Sequence, residues 1–252
     1  MSRKIMYKTI IYIFLLLTFA GPLWLLFSGK VELGGDYRTA NRASAAIAPD
    51  PKKATEAIVQ IYSARAFSWR GLLGTHNWIV TKAKDATEFT VYQVIGWRQL
   101  HGLAPLIIGA DIPDRYWFGM KPTIILDIRG PQAEKIIPEI VNATKLYPYA
   151  NDYQLWPGPN SNTFPAFIGR HVPELGLNLP ADALGKDFLT GFHFFAPAPS
   201  CTGYQFSLFG IFGILVAKKE GIEINILGLV YGMQFSPFAI KLPGFGNLLL
   251  GF

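Results

Sequence analysis

The chain has 252 residues, and with an amino-terminal segment set aside about 200 remain, enough for one ordinary domain with its own core. Half of the residues are hydrophobic and only 16% are charged, well under the roughly 25% of an average soluble domain, so much of the molecule is buried or close to lipid. The net charge of +6 does not point to nucleic acid: Arg3, Lys4, Lys8 and Lys30 precede the first acidic residue, and from residue 31 onward 19 basic residues face 17 acidic ones.

Residues 9–27 form an uncharged run of 19, which at about 1.5 Å per residue matches the roughly 30 Å hydrocarbon core of a bilayer. Arg3, Lys4 and Lys8 lie before it, and the positive-inside rule keeps that end in the cytoplasm and sends the remainder across. The reading is an uncleaved anchor over residues 1–30 in the inner membrane, single-pass, with the main domain on the periplasmic or extracytoplasmic side. A cleaved signal peptide competes with it, and Gly21-Pro22 predicts a kink or the end of a shorter signal. Residues 31–53 are small, polar and punctuated by Gly and Pro, as a tether would be.

Strands are predicted at 57–65, 75–81, 88–97 and 121–129, the second and third as a hairpin around a polar turn. After Gly130-Pro131, Ala133, Ile136, Ile137, Ile140 and Val141 recur at helical spacing, with Pro138 expected to interrupt or bend the helix. A second helix is predicted from near Ser161 to about Gly169. Beyond residue 200 the chain is Gly-spaced, β-branched and aromatic, with a turn at residues 218–221 and only five charges in residues 202–252. This predicts an apolar β-hairpin, either fully buried or resting a greasy face on the bilayer. The expected fold class is α+β, an antiparallel sheet with a few helices. Its main domain runs from 54 to 200, and the hairpin extension from 201 to 252.

Chemistry has few places to sit. Cys201 is the only cysteine, which excludes an intrachain disulfide and a cysteine-built zinc site, and no HExxH or HxH spacing occurs. No cofactor is expected. In the segment Trp156 to Phe164, Ser161 stands between Asn160 and Asn162 at a helix start, where free N–H groups and the helix dipole favour an anion. A serine needs a base, and His76, in mid-strand, is the best offer. Ser161 as a simple N-cap and His76 as a structural core residue are the plain alternatives.

The order of His76 on an early strand, 85 residues, then Asn-Ser-Asn-Thr-Phe opening a helix resembles the circularly permuted papain-like group. That group includes NlpC-type peptidases and lecithin-retinol-acyltransferase-like enzymes, and its motif often has cysteine where Ser161 stands. The chain is also similar to an uncharacterised bacterial family known only as a domain of unknown function. The papain-like resemblance implies Ser161 as nucleophile, His76 as base and Gln93 as the polar residue that orients it. Asn160, Asn162, Trp78 and Trp156 would contact substrate, and the N–H groups of Ser161 and Asn162 would hold the oxyanion. His101 is a weaker substitute for Gln93, while His171 and His193 read as structural. Two readings follow: a hydrolase or acyltransferase acting on a cell-wall peptide or a lipid ester, or a non-catalytic binding module for an envelope ligand or partner. In both, membrane lipid is a partner and nucleic acid is not. A structural membrane protein without a cleft is the third.

Overall fold

The computed structural model describes residues 2–249. The apolar amino-terminal run forms one helix, α1 (Arg3–Phe27), unbroken at Pro22. It is long and apolar enough to cross a membrane once, as a span or as a signal sequence. Gly21 and Pro22 serve as a seat for the far end of the chain rather than as a break: a Cβ on Gly21 would stand 2.2 Å from the Pro243 carbonyl oxygen. Residues 31–53 carry no helix or strand, yet they are laid against the domain. Buried Asp114 accepts Ser44 Oγ at 2.7 Å and the N–H groups of Ile47 and Ala48 at 2.7 and 3.1 Å.

The fold is α+β, as expected, but it has two antiparallel sheets. The first has the order β4-β3-β2-β1-β5. Its strands are β1 (Ile58–Arg65), β2 (Thr75–Lys82), β3 (Thr90–Val94), β4 (Leu106–Ala110) and β5 (Thr123–Arg129). β1 is flanked by β2 and β5 and buried on both faces, so its residues read as apolar with only loose alternation. Val59 and Ile61 face α2 (Pro131–Lys145) and α3 (Thr163–His171), whereas Ile58 and Tyr62 join Trp78, Val80 and Phe89 on the other side. In α2, Pro131 occupies the first turn, where its missing N–H costs nothing, and Ile136 and Ile140 pack with almost no exposure, each contributing roughly 1.5–3 kcal/mol. Pro138 lies inside this helix without ending it. The third strand stops at Val94, because residues Gly96–His101 coil into a 3-10 turn.

The carboxy-terminal region is larger than a hairpin. Seven strands follow one another as a meander: β6 (Phe195–Pro197), β7 (Gly203–Leu208), β8 (Phe212–Ala217), β9 (Gly221–Ile226), β10 (Leu229–Phe235), β11 (Phe238–Leu242) and β12 (Gly246–Leu249). The turn expected at 218–221 joins β8 to β9, with Gly221 already the first residue of β9. Full burial of the apolar residues is overturned, because the sheet is inverted relative to a water-soluble one. Phe212, Ile214, Val216, Ile222 and Ile224 point outward with 41% to 55% exposure, while Gly213, Leu215, Ala217, Glu223 and Asn225 point inward and are buried.

The inner face meets the loop that follows α3 through a buried ionic cluster. Glu223 is held between Lys186 and Lys241, the latter at 2.5 Å, and all three are essentially inaccessible. Burial pushes the Glu223 carboxyl up, but the two ammonium groups outweigh it and hold it below its ordinary value. Asp187 accepts from Gln205 at 2.9 Å and Asn225 at 3.0 Å, and Glu220 accepts from the Ser200 N–H and hydroxyl. Arg170 completes the set with a bond to Gln205 at 2.7 Å; burial lowers its pKa to about 10 although Asp187 and Glu220 favour its charge. Lys186, Lys241 and Arg170 thus balance Asp187, Glu220 and Glu223, the condition under which burying so many charges is tolerable.

Candidate functional site

Successive residues of a strand point to opposite faces, and at β2 this separates two neighbours with different tasks. Asn77 turns toward α3 and donates from Nδ2 to Asn162 Oδ1 at 2.6 Å. His76 turns the other way, where its ring stacks on Trp117 with centroids 3.5 Å apart and planes 6° from parallel. The imidazole is 4% exposed, and its Nε2 has no hydrogen-bond partner. Burial drives the His76 pKa down to about 3, with a hydrogen bond to Gln93 acting in the opposite direction. At neutral pH the ring is uncharged.

The start of α3 is built by its asparagines. Asn160 Oδ1 accepts the N–H of Asn162 at 2.9 Å and of Thr163 at 3.3 Å, which closes two of the free amides of the first turn. Asn160 Nδ2 donates to the Leu155 carbonyl, and Asn162 Nδ2 donates to the carbonyls of Thr75 and Leu184 at 2.9 and 2.8 Å. Both amides are therefore spent inside the protein, and the Asn162 N–H is occupied as well. Ser161 does not cap the helix. Its hydroxyl makes no hydrogen bond to any described residue, and the side chain lines a cavity of about 730 Å³.

That cavity brings His76 and Ser161 together in one wall system, although no hydrogen bond joins them. Its volume falls within the ~300–1,000 Å³ of ordinary small-molecule sites. Trp69, Trp97, Trp117 and Trp156 line it, together with Tyr153 and several leucines. Trp156 fixes the seam between the two sheets by donating its indole N–H to the Leu227 carbonyl at 2.9 Å. Trp78 lies elsewhere: it is buried, stacks on Tyr62, donates to the Pro113 carbonyl at 2.8 Å, and borders a smaller space of about 280 Å³ shared with Gln93. His171 is held by the Phe167 carbonyl and ring, and neither His101 nor His193 lines either cavity.

Four lining residues had no signal in the sequence. Leu184 arrives from the loop after α3, and Leu227 and Leu229 come from the second sheet, too far along the chain to be tied to Ser161 by any motif. Arg70, from the 3-10 turn Ser68–Leu72, is the one charged residue in the lining among the described residues, and its guanidinium lies 5.2 Å from the Trp69 ring centroid. The same 3-10 turn packs against α1.

Fold and cavity define a two-sheet α+β protein fastened to an apolar amino-terminal helix, with an apolar chamber where the two sheets meet. The chain belongs to the family described as a protein of unknown function, DUF3750, which it matches over residues 56–188. The match spans the first sheet, both of its helices and the loop carrying Lys186 and Asp187, and includes His76, Gln93 and Ser161. No curated protein and no solved structure matches the chain.

Proposed function

We propose that this is a single-pass inner-membrane protein whose domain lies on the extracytoplasmic side and binds an amphiphile with a fatty-acyl chain and an acidic head. The observation that carries the reading is the chamber of about 730 Å³ walled by tryptophan and leucine, with Arg70 as its only charge among the described residues. The apolar walls suit an acyl chain, and a carboxylate or phosphate head would neutralise Arg70. His76 Nε2, buried without a partner, would bond a ligand's ester or hydroxyl group and so regain what burial costs it, and the half-buried Ser161 hydroxyl in the same wall would bond that group as well. Because the wall formed by Ser68–Leu72 also packs on α1, the chamber sits beside the membrane helix.

The test is titration of the full chain in detergent micelles with cis-parinaric acid, read by energy transfer from the lining tryptophans. Saturable binding is expected, with preference for the acid over its methyl ester. Trp69→Asp should weaken it at least about tenfold, a loss of ~1.4 kcal/mol, and Arg70→Glu should abolish the preference. Binding that fails to saturate, or that ignores both substitutions, refutes the proposal.

A second reading is acyl transfer, favoured by the single fact that the unbonded Ser161 hydroxyl and the His76 ring line one chamber. The permuted papain-like resemblance belongs to this reading. Ser161 Oγ would attack an ester carbonyl carbon as its proton passes to His76 Nε2. The leaving alkoxide would take that proton, and water would later hydrolyse the acyl-serine. The apolar walls favour a lipid ester over a cell-wall peptide. Binding ranks first for two reasons: a pKa of about 3 makes His76 a poor base, and the Asn162 N–H is already taken. A fluorophosphonate probe should label Ser161, with labelling lost in Ser161→Ala and reduced in His76→Gln; an unlabelled wild-type chain ends this reading.

A further inference from the structure

We infer that the outer face of the seven-stranded sheet rests in the outer leaflet of the bilayer, among the acyl chains, alongside α1. The register makes the face continuous across strands: Val216 pairs with Ile222 and Ile222 with Met233, while Ile214 pairs with Ile224 and Ile224 with Tyr231. Each pair shares one side of the sheet, so an unbroken apolar surface runs from β8 to β10.

Charge is distributed as a lipid contact requires. Of the five charged residues beyond residue 202, Glu220, Glu223 and Lys241 are buried on the inner side. Lys218 and Lys219 lie in the turn between β8 and β9, which leaves the outer face without a charge among the described residues. The sheet's interior backbone groups are satisfied within the ladder, the condition for strands to face hydrocarbon.

The occupant is identified by what the face adjoins. Tyr231, on that face, takes a hydrogen bond of 2.7 Å with Thr18 of α1, and its ring lies 5.6 Å from Phe14. A surface joined to the flank of a membrane-crossing helix enters the hydrocarbon with it. Lys30 lies 4.2 Å over the Trp24 ring, the aromatic-plus-lysine pairing typical of the headgroup level. From Trp24 to Phe14 is ten residues, roughly 15 Å along an upright helix, or about one leaflet of hydrocarbon. The face therefore reaches one leaflet deep at most. Leu227, 60% exposed in the turn between β9 and β10, lines the chamber as well, so the chamber opens where this face ends.

The inference rests on α1 spanning the bilayer, and the test reads the two separately. The full chain, with Cys201→Ser, is reconstituted into phosphatidylethanolamine and phosphatidylglycerol vesicles containing acyl-brominated lipid. A nitrobenzoxadiazole dye is placed singly at Ile224→Cys, Val216→Cys, Leu16→Cys or Lys84→Cys. Dyes at 224 and 216 should lose emission as the dye at 16 does, while the dye at 84, in the β2–β3 turn, keeps it. If 16 is quenched and 216 and 224 are not, the sheet does not rest on lipid and the inference fails although the anchor stands. Retained emission at 216 and 224 with self-quenching that rises with protein content would put a second copy there instead, and also overturns it. Quenching at 216 and 224 but not at 16 removes the membrane-spanning helix and with it the placement of the face beside α1 in the outer leaflet, and so also overturns the inference.

Discussion

His76 shows how one side chain carries opposite demands. Its ring is a core element, pressed on Trp117, yet its Nε2 is left without a partner in a wall of the chamber. The folded pKa of about 3 lies below the unfolded value near 6.5, so the unfolded chain takes up the proton first as pH falls. The ring's contribution is fully present above about pH 6.5 and is lost progressively as pH drops toward 3, by up to about 1.4 kcal/mol per unit. The wild-type chain should therefore lose about 1.6 kcal/mol more than His76→Phe between pH 6.5 and 5, measured from urea unfolding midpoints in micelles; parallel pH profiles would show that His76 is not the group responsible. The residues that make this site were partly legible. Alternation along 75–81 separates His76 from Asn77, and along 90–94 it separates Gln93 from Tyr92, with Gln93 reaching His76. Burial is what alternation leaves open: it sets Trp78 on the same side as His76 without telling that Trp78 ends in the core. The asparagines beside Ser161 read as substrate contacts and do line the chamber, but the carbonyls of Leu155, Thr75 and Leu184 already take their amide N–H groups.

Among the elements, the second sheet departs furthest from expectation, and the reason is physical. A period of two says that two faces differ but not which one is inside. In β8 and β9 the outward set is Phe212, Ile214, Val216, Ile222 and Ile224, and an ordinary reading would bury it. Glu223 and Lys241, charges within apolar strands, were the available sign that the polar side faces the protein. β4 went unread because its five residues follow a Gly- and Pro-containing loop and are largely exposed. β1, β2, α2 and α3 were legible because length, turn residues and spacing agree in each. The ionic cluster on the inner face is a constraint on composition: removing one partner strands the others. Glu223→Gln should cost about 3–5 kcal/mol by leaving Lys186 and Lys241 buried without it. Replacing Glu223 and Lys241 together by Leu and Met, which leaves Lys186 and Arg170 to balance Asp187 and Glu220, should cost less than that single change, as judged from chemical denaturation; a double variant less stable than the single one would contradict this account.

At the scale of the whole molecule, the helix and the last strands form one seam. Gly21 is glycine because the turn between β11 and β12 sits directly on it, with the Pro243 oxygen and Phe245 nitrogen 2.2 and 2.8 Å from where a Cβ would be. Gly21→Leu should leave helix α1 intact but lift that turn away, costing about 1–3 kcal/mol and speeding amide hydrogen exchange across 238–249. Unchanged exchange there would mean the seam is not closed in solution. The two-sheet plan itself was beyond the sequence, since nothing local announces that residues 182–187 will plug a sheet formed by the following strands.

The hydrogen bond between Thr18 and Tyr231 joins positions 213 apart, and that has a consequence for how the protein is made. The amino-terminal helix is made early, and although the 3-10 turn Ser68–Leu72 that packs on it follows soon after, its partners in the second sheet come much later. Contacts of such long separation close late. Until they do, the flank of the helix that carries Phe14 and Thr18 stays bare and the growing domain lacks that contact. Docking of the helix is therefore timed by the arrival of the second sheet, and a chain halted before Tyr231 would have the apolar helix without the strands that seat it.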